Sequence, residues 1–305
     1  MNRPNPLSSP DNTFILLSKP LPFSHWRYFS IRFRQVLLKY RTNSPFLSCD
    51  SFARLADYVV FGISGNKKLK KKKLRKARVL FVKSHQLENL ILDHGKSINA
   101  KVILTGNSDF NFNFPVSLPD SVQVVFAQNC GVATGGKFRP LPIGLENLRG
   151  GRSGLKRFHK GNNAPIVMDK IYLPPMAPTN PIRFDVVEKA SLNQEIFEVD
   201  RQYKNEEDYF RNVKKYKFVF CCEGNGFETH RIWESFYQNS FPVMLETSFA
   251  KGLASLQLPI LLVKDLGEIN ANLLKNFLEK NSSFDSQLEP KLWINYWKTQ
   301  VNSYL

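Results

Sequence analysis

Short apolar runs alternate with polar or helix-periodic stretches along most of the chain. VLFVKS (79–84) reads as a buried strand, and HQLENLILDHG (85–95) reads as a helix that ends at Gly95. AKVILTGNSD and VQVVFAQN each read as a strand running into a polar turn. DKIYLPP (169–175) is a further strand, and a mixed segment follows it. EEDYFRNVKKY (206–216) opens on acids and closes on bases, which suits a helix dipole. Next come the strand KFVFCC (217–222), the helix ETHRIWESFYQN (228–239), the strand FPVML (241–245) and the short helix SFAKGLASL (248–256). The strand LPILLVKD (258–265) and a helix over 267–280 complete a β-α-β-α-β run. Strands separated by helices predict an α/β chain with parallel sheets.

The segment 140–163 is rich in Gly, Arg and Lys and divides this pattern. The expected organisation is an irregular segment over 1–45 with a short helix at 30–40, a first Rossmann-like domain over 46–150, a linker over 151–163 and a second Rossmann-like domain over 164–290. The last stretch, 291–305, is amphipathic, with Leu292, Tyr296, Trp293 and Trp297 expected to face a core.

Charge changes the picture in one place. The formal balance is +17, and nine cations fall within residues 67–78; without them the balance drops to +8. A basic balance suits a phosphate-bearing ligand, an anionic membrane surface or an anionic polymer. No aromatic residue interleaves with these lysines, so nucleic acid is not expected as a partner. The alternative is a solvated helix face or loop. None of the four cysteines shows a CxxC spacing, so they read as free thiols of a reducing compartment rather than a zinc site. No apolar run approaches the ~20 residues that span a bilayer. The expected location is cytoplasmic, or peripheral on the cytoplasmic membrane face.

The chemistry concentrates at FVFCCEGNGFETHRIWESFY (218–237). Ligands of open parallel sheets sit beyond the carboxyl ends of the strands. Gly224 and Gly226, with Asn225 between them, permit close approach of a ligand and positive φ. A helix starting near Glu228 or Thr229 would point free N–H groups at an anion. Arg231 in its first turn would form a charge-assisted fork to phosphate, and Glu234 lies on the same helix face. His230 would touch sugar or phosphate, or is a helix histidine. Arg183 follows a strand and is a second phosphate candidate, or a solvated cation. GNGFET is neither a dinucleotide fingerprint nor a Walker loop.

The arrangement FVFCCEGNGFETHRIWESFYQNSFPVML resembles the donor-site signature of exostosin-like glycosyltransferases, the glycosyltransferase family 47 type of the GT-B superfamily. The stretches CDSFARLADY, FAQN, PLPIGLEN and LPILLVKDL also resemble these proteins, and the similarity spans roughly 48–270. The resemblance implies two Rossmann-like domains facing a cleft, an acceptor domain over 46–150 and a nucleotide-sugar donor domain over 164–290. The helix of 291–305 would pack back on the first. Arg231 would hold the diphosphate and Glu234 the ribose. The implied activity is inverting transfer from a nucleotide-diphosphate sugar to a glycan or other hydroxyl acceptor. The chain departs from exostosins in showing no membrane anchor or stem.

No Asp-x-Asp occurs, so the expected enzyme uses no metal and no cofactor beyond its donor substrate. An inverting enzyme needs a base. Asp109 is the first choice, with Asp50 and Glu146 behind it; each also reads as a turn or capping residue. The alternative function is a non-catalytic GT-B-like binding protein held on an anionic membrane or polymer by residues 67–78.

Overall fold

The computed structural model describes residues 43–60, 69–112, 116–131, 136–148, 154–159 and 168–305, with the Met168 side chain left aside. The helix expected at 30–40, Lys67, Lys68 and most of the 151–163 linker lie outside the described residues.

The chain is α/β, with two five-stranded parallel sheets. The first contains β1 (Tyr58–Val60), β2 (Val79–Lys83), β3 (Val102–Gly106), β4 (Val124–Ala127) and β5 (Phe138–Pro140), lying side by side in chain order. Between them come α1 (Cys49–Ala53), which precedes β1, α2 (Lys71–Lys76) and α3 (Leu87–His94). The second sheet contains β6 (Met168–Leu173), β7 (Phe197–Val199), β8 (Tyr216–Phe220), β9 (Phe241–Leu245) and β10 (Leu261–Val263), in the order β10-β9-β8-β6-β7. Its connections include α4 (Ile182–Leu192), α5 (Glu206–Val213), α6 (His230–Tyr237) and α7 (Ser248–Ala254), and α8 (Ala271–Lys280) follows β10. The chain winds one way from β6 to β7 and then the other way from β8 onward. The carboxyl ends of β6 and β8 therefore border a topological switch point, where open α/β sheets bind ligands.

Side chains alternate across each strand. Val79 and Phe81 of β2 face one core while Leu80 and Val82 face another; Val102 and Leu104 of β3 alternate with Ile103 in the same way. In the second sheet, Val219 and Met244 join the first of these cores, while Phe218, Phe220 and Val243 build a third. One core is thus continuous between the two sheets. α9 (Ile294–Asn302) closes its far side. Trp297 meets Phe52 at 5.9 Å and Phe126 at 6.2 Å, and Arg78 donates to the Leu305 carbonyl oxygen, so the last helix lies against the first sheet. Its buried stripe is Ile294, Trp297 and Val301 together with Leu292 ahead of it. Trp293 and Tyr296 are only half-buried.

The described part of the expected linker is packed rather than solvated. His159 is buried against Phe210 at 4.8 Å, and Asn43 Nδ2 donates to the Gly154 carbonyl at 2.6 Å. The lysine run forms α2, held by buried Leu74, with Lys70, Lys71, Lys72, Lys73, Arg75 and Lys76 exposed around it. All four cysteines are buried, and none forms a disulfide. Among the described residues no helix is long and apolar enough to cross a membrane.

Candidate functional site

Two loops meet at the switch point. The first leaves β6 through Pro174 and Pro175 and enters α4, whose first turn carries Arg183. The second leaves β8, turns through 221–229 and enters α6, whose first turn carries Arg231. Each arginine grips the other loop. Arg183 Nε donates to the Glu223 carbonyl oxygen at 2.7 Å, and its Nη1 donates to the Ala177 carbonyl at 2.7 Å. Arg231 Nη2 donates to the Pro175 carbonyl oxygen at 2.9 Å. Asn180 Nδ2 adds a bond to the Gly224 carbonyl at 3.2 Å.

Arg183 senses the charge of Arg231. The Arg183 pKa is lowered by burial first and by the charge of Arg231 second. Burial also opposes the Arg231 charge, but Tyr209, Cys221 and Glu234 around it more than offset that. Among the described residues neither guanidinium forms an ion pair. Arg231 Nε, Thr229 Oγ1 and Glu223 Oε1 are all buried without a hydrogen-bond partner. Ser48, Asn205, Thr247 and Asn270 cap α1, α5, α7 and α8 with their side chains, whereas Thr229 makes no such bond at α6. The corner therefore holds two guanidinium groups and an unused Arg231 Nε donor, with an unsatisfied Glu223 carboxylate oxygen in the same loop.

The glycines serve close packing. A Cβ on Gly224 would meet Arg183 Nη2 at 2.9 Å, and one on Gly226 would meet Asn129 Oδ1 at 2.8 Å. Neither glycine has positive φ, so the expected left-handed turn is replaced by a tight approach of two neighbours. The turn closes with Gly224 N–H donating to the Gly226 carbonyl at 3.0 Å, and Asn225 stays exposed between them.

Glu234 is only 5% exposed, and its Oε2 accepts a hydrogen bond from the Tyr209 hydroxyl at 2.9 Å. It braces the corner from beneath. His230 donates from Nδ1 to the Gly144 carbonyl at 2.7 Å, reaching the first half of the chain. Gly144 has φ +66 and lies tight against the Leu47 main chain.

Of the three base candidates, Asp109 is exposed in the loop after β3. That loop touches the corner, since Asn111 Oδ1 accepts from Phe227 N–H at 3.0 Å. Asp50 sits in the first turn of α1, half-buried, its N–H bonded to Asn147 Oδ1 at 2.8 Å. Glu146 is half-buried, and its carbonyl oxygen accepts from Asn43 Nδ2 at 3.1 Å. The structure thus brings Arg183, Arg231, Gly224, Asn225 and Gly226 together, with Glu234 beneath, and ties His230 and the Asp109 loop to the same seam.

Sequence reasoning missed Glu228 and Asn129. Glu228 is 5% exposed, with Oε1 accepting from Ile143 N–H at 2.8 Å and from the Trp233 indole N–H at 2.7 Å. Its Oε2 takes a longer bond from Asn129 N–H at 3.5 Å, and its own N–H donates to Asn129 Oδ1 at 2.7 Å. Burial pushes the Glu228 carboxyl up to about 7, against the three N–H donors that favour its ionised form. Asn129 holds a left-handed φ of 52, which Asn tolerates better than most residues.

A groove of about 830 Å³ lies elsewhere, between α3 and residues 116–121. None of its lining residues belongs to the corner. Among the described residues no group of three His, Cys, Asp or Glu side chains is arranged to hold a metal. No protein-family model matches the chain, and comparison with curated proteins finds no match.

Proposed function

We propose that the protein is a GT-B glycosyltransferase that binds a nucleotide-diphosphate sugar at the β6–β8 switch point and transfers the sugar to a hydroxyl acceptor. The observation that carries this reading is the pair of half-buried guanidinium groups, Arg183 and Arg231, braced on each other's loops and without an ion pair among the described residues. Two like charges held together at partial burial are costly, and a diphosphate bridging them converts repulsion into shared attraction. The uncapped start of α6 adds main-chain donors to the same spot. The two sheets are the acceptor and donor domains, and the corner faces the acceptor domain across the Asn111, Asn129 and Gly144 contacts.

In this reading Arg183, Arg231 and the α6 N-terminus stabilise the leaving diphosphate without an obligatory metal. Asp109 takes the acceptor proton, and the sugar is transferred with inversion. Glu234 holds Arg231 in place through its charge while Tyr209 fixes the carboxylate. A screen of sugar nucleotides for slow hydrolysis, followed by glycan acceptors, tests the proposal. One donor should be turned over by the wild type, and turnover should fall in Arg183→Ala and Arg231→Ala. Turnover at the wild-type rate in both variants would refute it. A second reading draws on the exposed cations of α2: a non-catalytic protein held on anionic surfaces. It predicts salt-sensitive binding to anionic vesicles with no response to nucleotide.

A further inference from the structure

Five hydrogen bonds cross from residues 227–230 to the first half of the chain. Phe227 N–H reaches Asn111, Glu228 N–H reaches Asn129, Ile143 and Asn129 N–H both reach the Glu228 carboxylate, and His230 reaches the Gly144 carbonyl. Three of the five belong to Glu228. Asn129 extends the network, because its Nδ2 donates to the Ser108 carbonyl at 3.2 Å, one residue from Asp109. Its side chain also fills the space that a Cβ on Gly226 would take.

We propose that Glu228 is a positioning residue that locks the 223–231 corner to the loops following β3, β4 and β5, and so sets Arg183 and Arg231 against the Asp109 loop. What is being positioned rests on the diphosphate reading of the corner; the lock itself does not. The carboxylate is faced by the N–H of Ile143, the N–H of Asn129 and the indole N–H of Trp233, all neutral donors. The other titratable groups of the same stretch are Glu223, whose main-chain carbonyl holds Arg183, His230, whose ring bonds Gly144, and Arg231, which bonds the Pro175 carbonyl. Closing the seam buries a carboxylate whose pKa burial raises to about 7, against the pull of its three N–H donors. Closure therefore takes up a proton. It is favoured at low pH and weakens as pH rises toward 7.

Hydrogen exchange of the full chain tests this through peptides covering 141–146 and 226–233. Glu228→Ala leaves three donors without an acceptor, so both peptides should lose at least about tenfold in protection while β2, β3 and β6 keep theirs. Glu228→Gln keeps an acceptor for Ile143 and Trp233 and should restore protection. In the wild type, protection corrected for intrinsic rate should fall by up to about tenfold per pH unit between pH 5 and 7, and it should stay level in Glu228→Gln. Unchanged protection in Glu228→Ala, or the same pH slope in Glu228→Gln, would overturn the proposal. Should Glu228→Ala fail to fold, the pH comparison of wild type with Glu228→Gln decides.

Calorimetry with nucleoside diphosphates on the same samples separates this lock from the function. Absence of binding by the wild type would remove the diphosphate reading and leave the exchange result intact. Where the wild type binds and turns over a donor, Glu228→Ala should lower kcat at least about tenfold while diphosphate affinity changes much less, since Arg183 and Arg231 remain. Equal loss of both would contradict positioning.

Discussion

Gly224→Ala is the smallest change that perturbs the corner without removing a charged group. The added Cβ meets Arg183 Nη2 at 2.9 Å and must move it toward the ordinary contact distance of 3.4 Å, a shift of about half an ångström. The guanidinium resists, because Nε is held at 2.7 Å by the Glu223 carbonyl and Nη1 at 2.7 Å by the Ala177 carbonyl. One of these charge-assisted bonds is weakened, a loss of up to about 1.5–3 kcal/mol. The entropy removed from the unfolded chain by Ala returns about 0.4–1 kcal/mol. Urea unfolding should therefore show a net loss of only about 1–2 kcal/mol. Under the proposed diphosphate reading, nucleoside diphosphate affinity depends on where the guanidinium sits, and it should fall about tenfold, equivalent to 1.4 kcal/mol. The assay is calorimetric titration of wild type and variant with a panel of nucleoside diphosphates, alongside urea unfolding of both. A variant that binds as tightly as the wild type would refute the placement of Arg183 at the ligand.

Other consequences follow from the same geometry. Glu228→Gln should flatten the pH dependence of stability: the folded carboxyl titrates near 7 against an ordinary 4.5, so the wild type loses stability as pH rises through that window. The loss is at most about 3 kcal/mol and is checked by urea unfolding at pH 4.5, 6 and 7.5. Trp297→Ala empties the site between α9 and the first sheet and should cost about 3–5 kcal/mol in the same unfolding measurement. Tyr209→Phe removes the hydroxyl from buried Glu234 and should cost about 1.5–3 kcal/mol of stability, read from the shift in urea midpoint. Turnover of a sugar nucleotide should survive EDTA; complete loss restored by manganese would assign the diphosphate charge to a metal instead of the arginines.

The strands β2, β3, β4, β6, β8 and β9 were legible because each is an apolar run whose two faces both meet a core. β1, β5 and β7 are three residues each; β10 is as short, but it lies inside the longer apolar run LPILLV and was legible. α4 was hidden for a different reason. Ile182 and Phe184 are exposed while Val186 and Ala190 are buried, so its apolar positions do not trace a helical stripe. At the corner, Arg231 and Arg183 could be read from their place after strands. Glu228 could not, because its partner Asn129 lies 99 residues away and an acid ahead of a helix reads as a cap. The polar pair at the end of FAQN was the available signal. Gln128 and Asn129 are 1% exposed, and buried amides directly after an apolar strand must be bonding something distant.

The central claim is that Arg183 and Arg231 hold a diphosphate, and calorimetric titration with nucleoside diphosphates tests it most directly. The wild type should bind at least one of them. Arg231→Ala should lose at least about tenfold in affinity, with a comparable loss in Arg183→Ala. No binding by the wild type, or equal binding by all three proteins, would contradict the account.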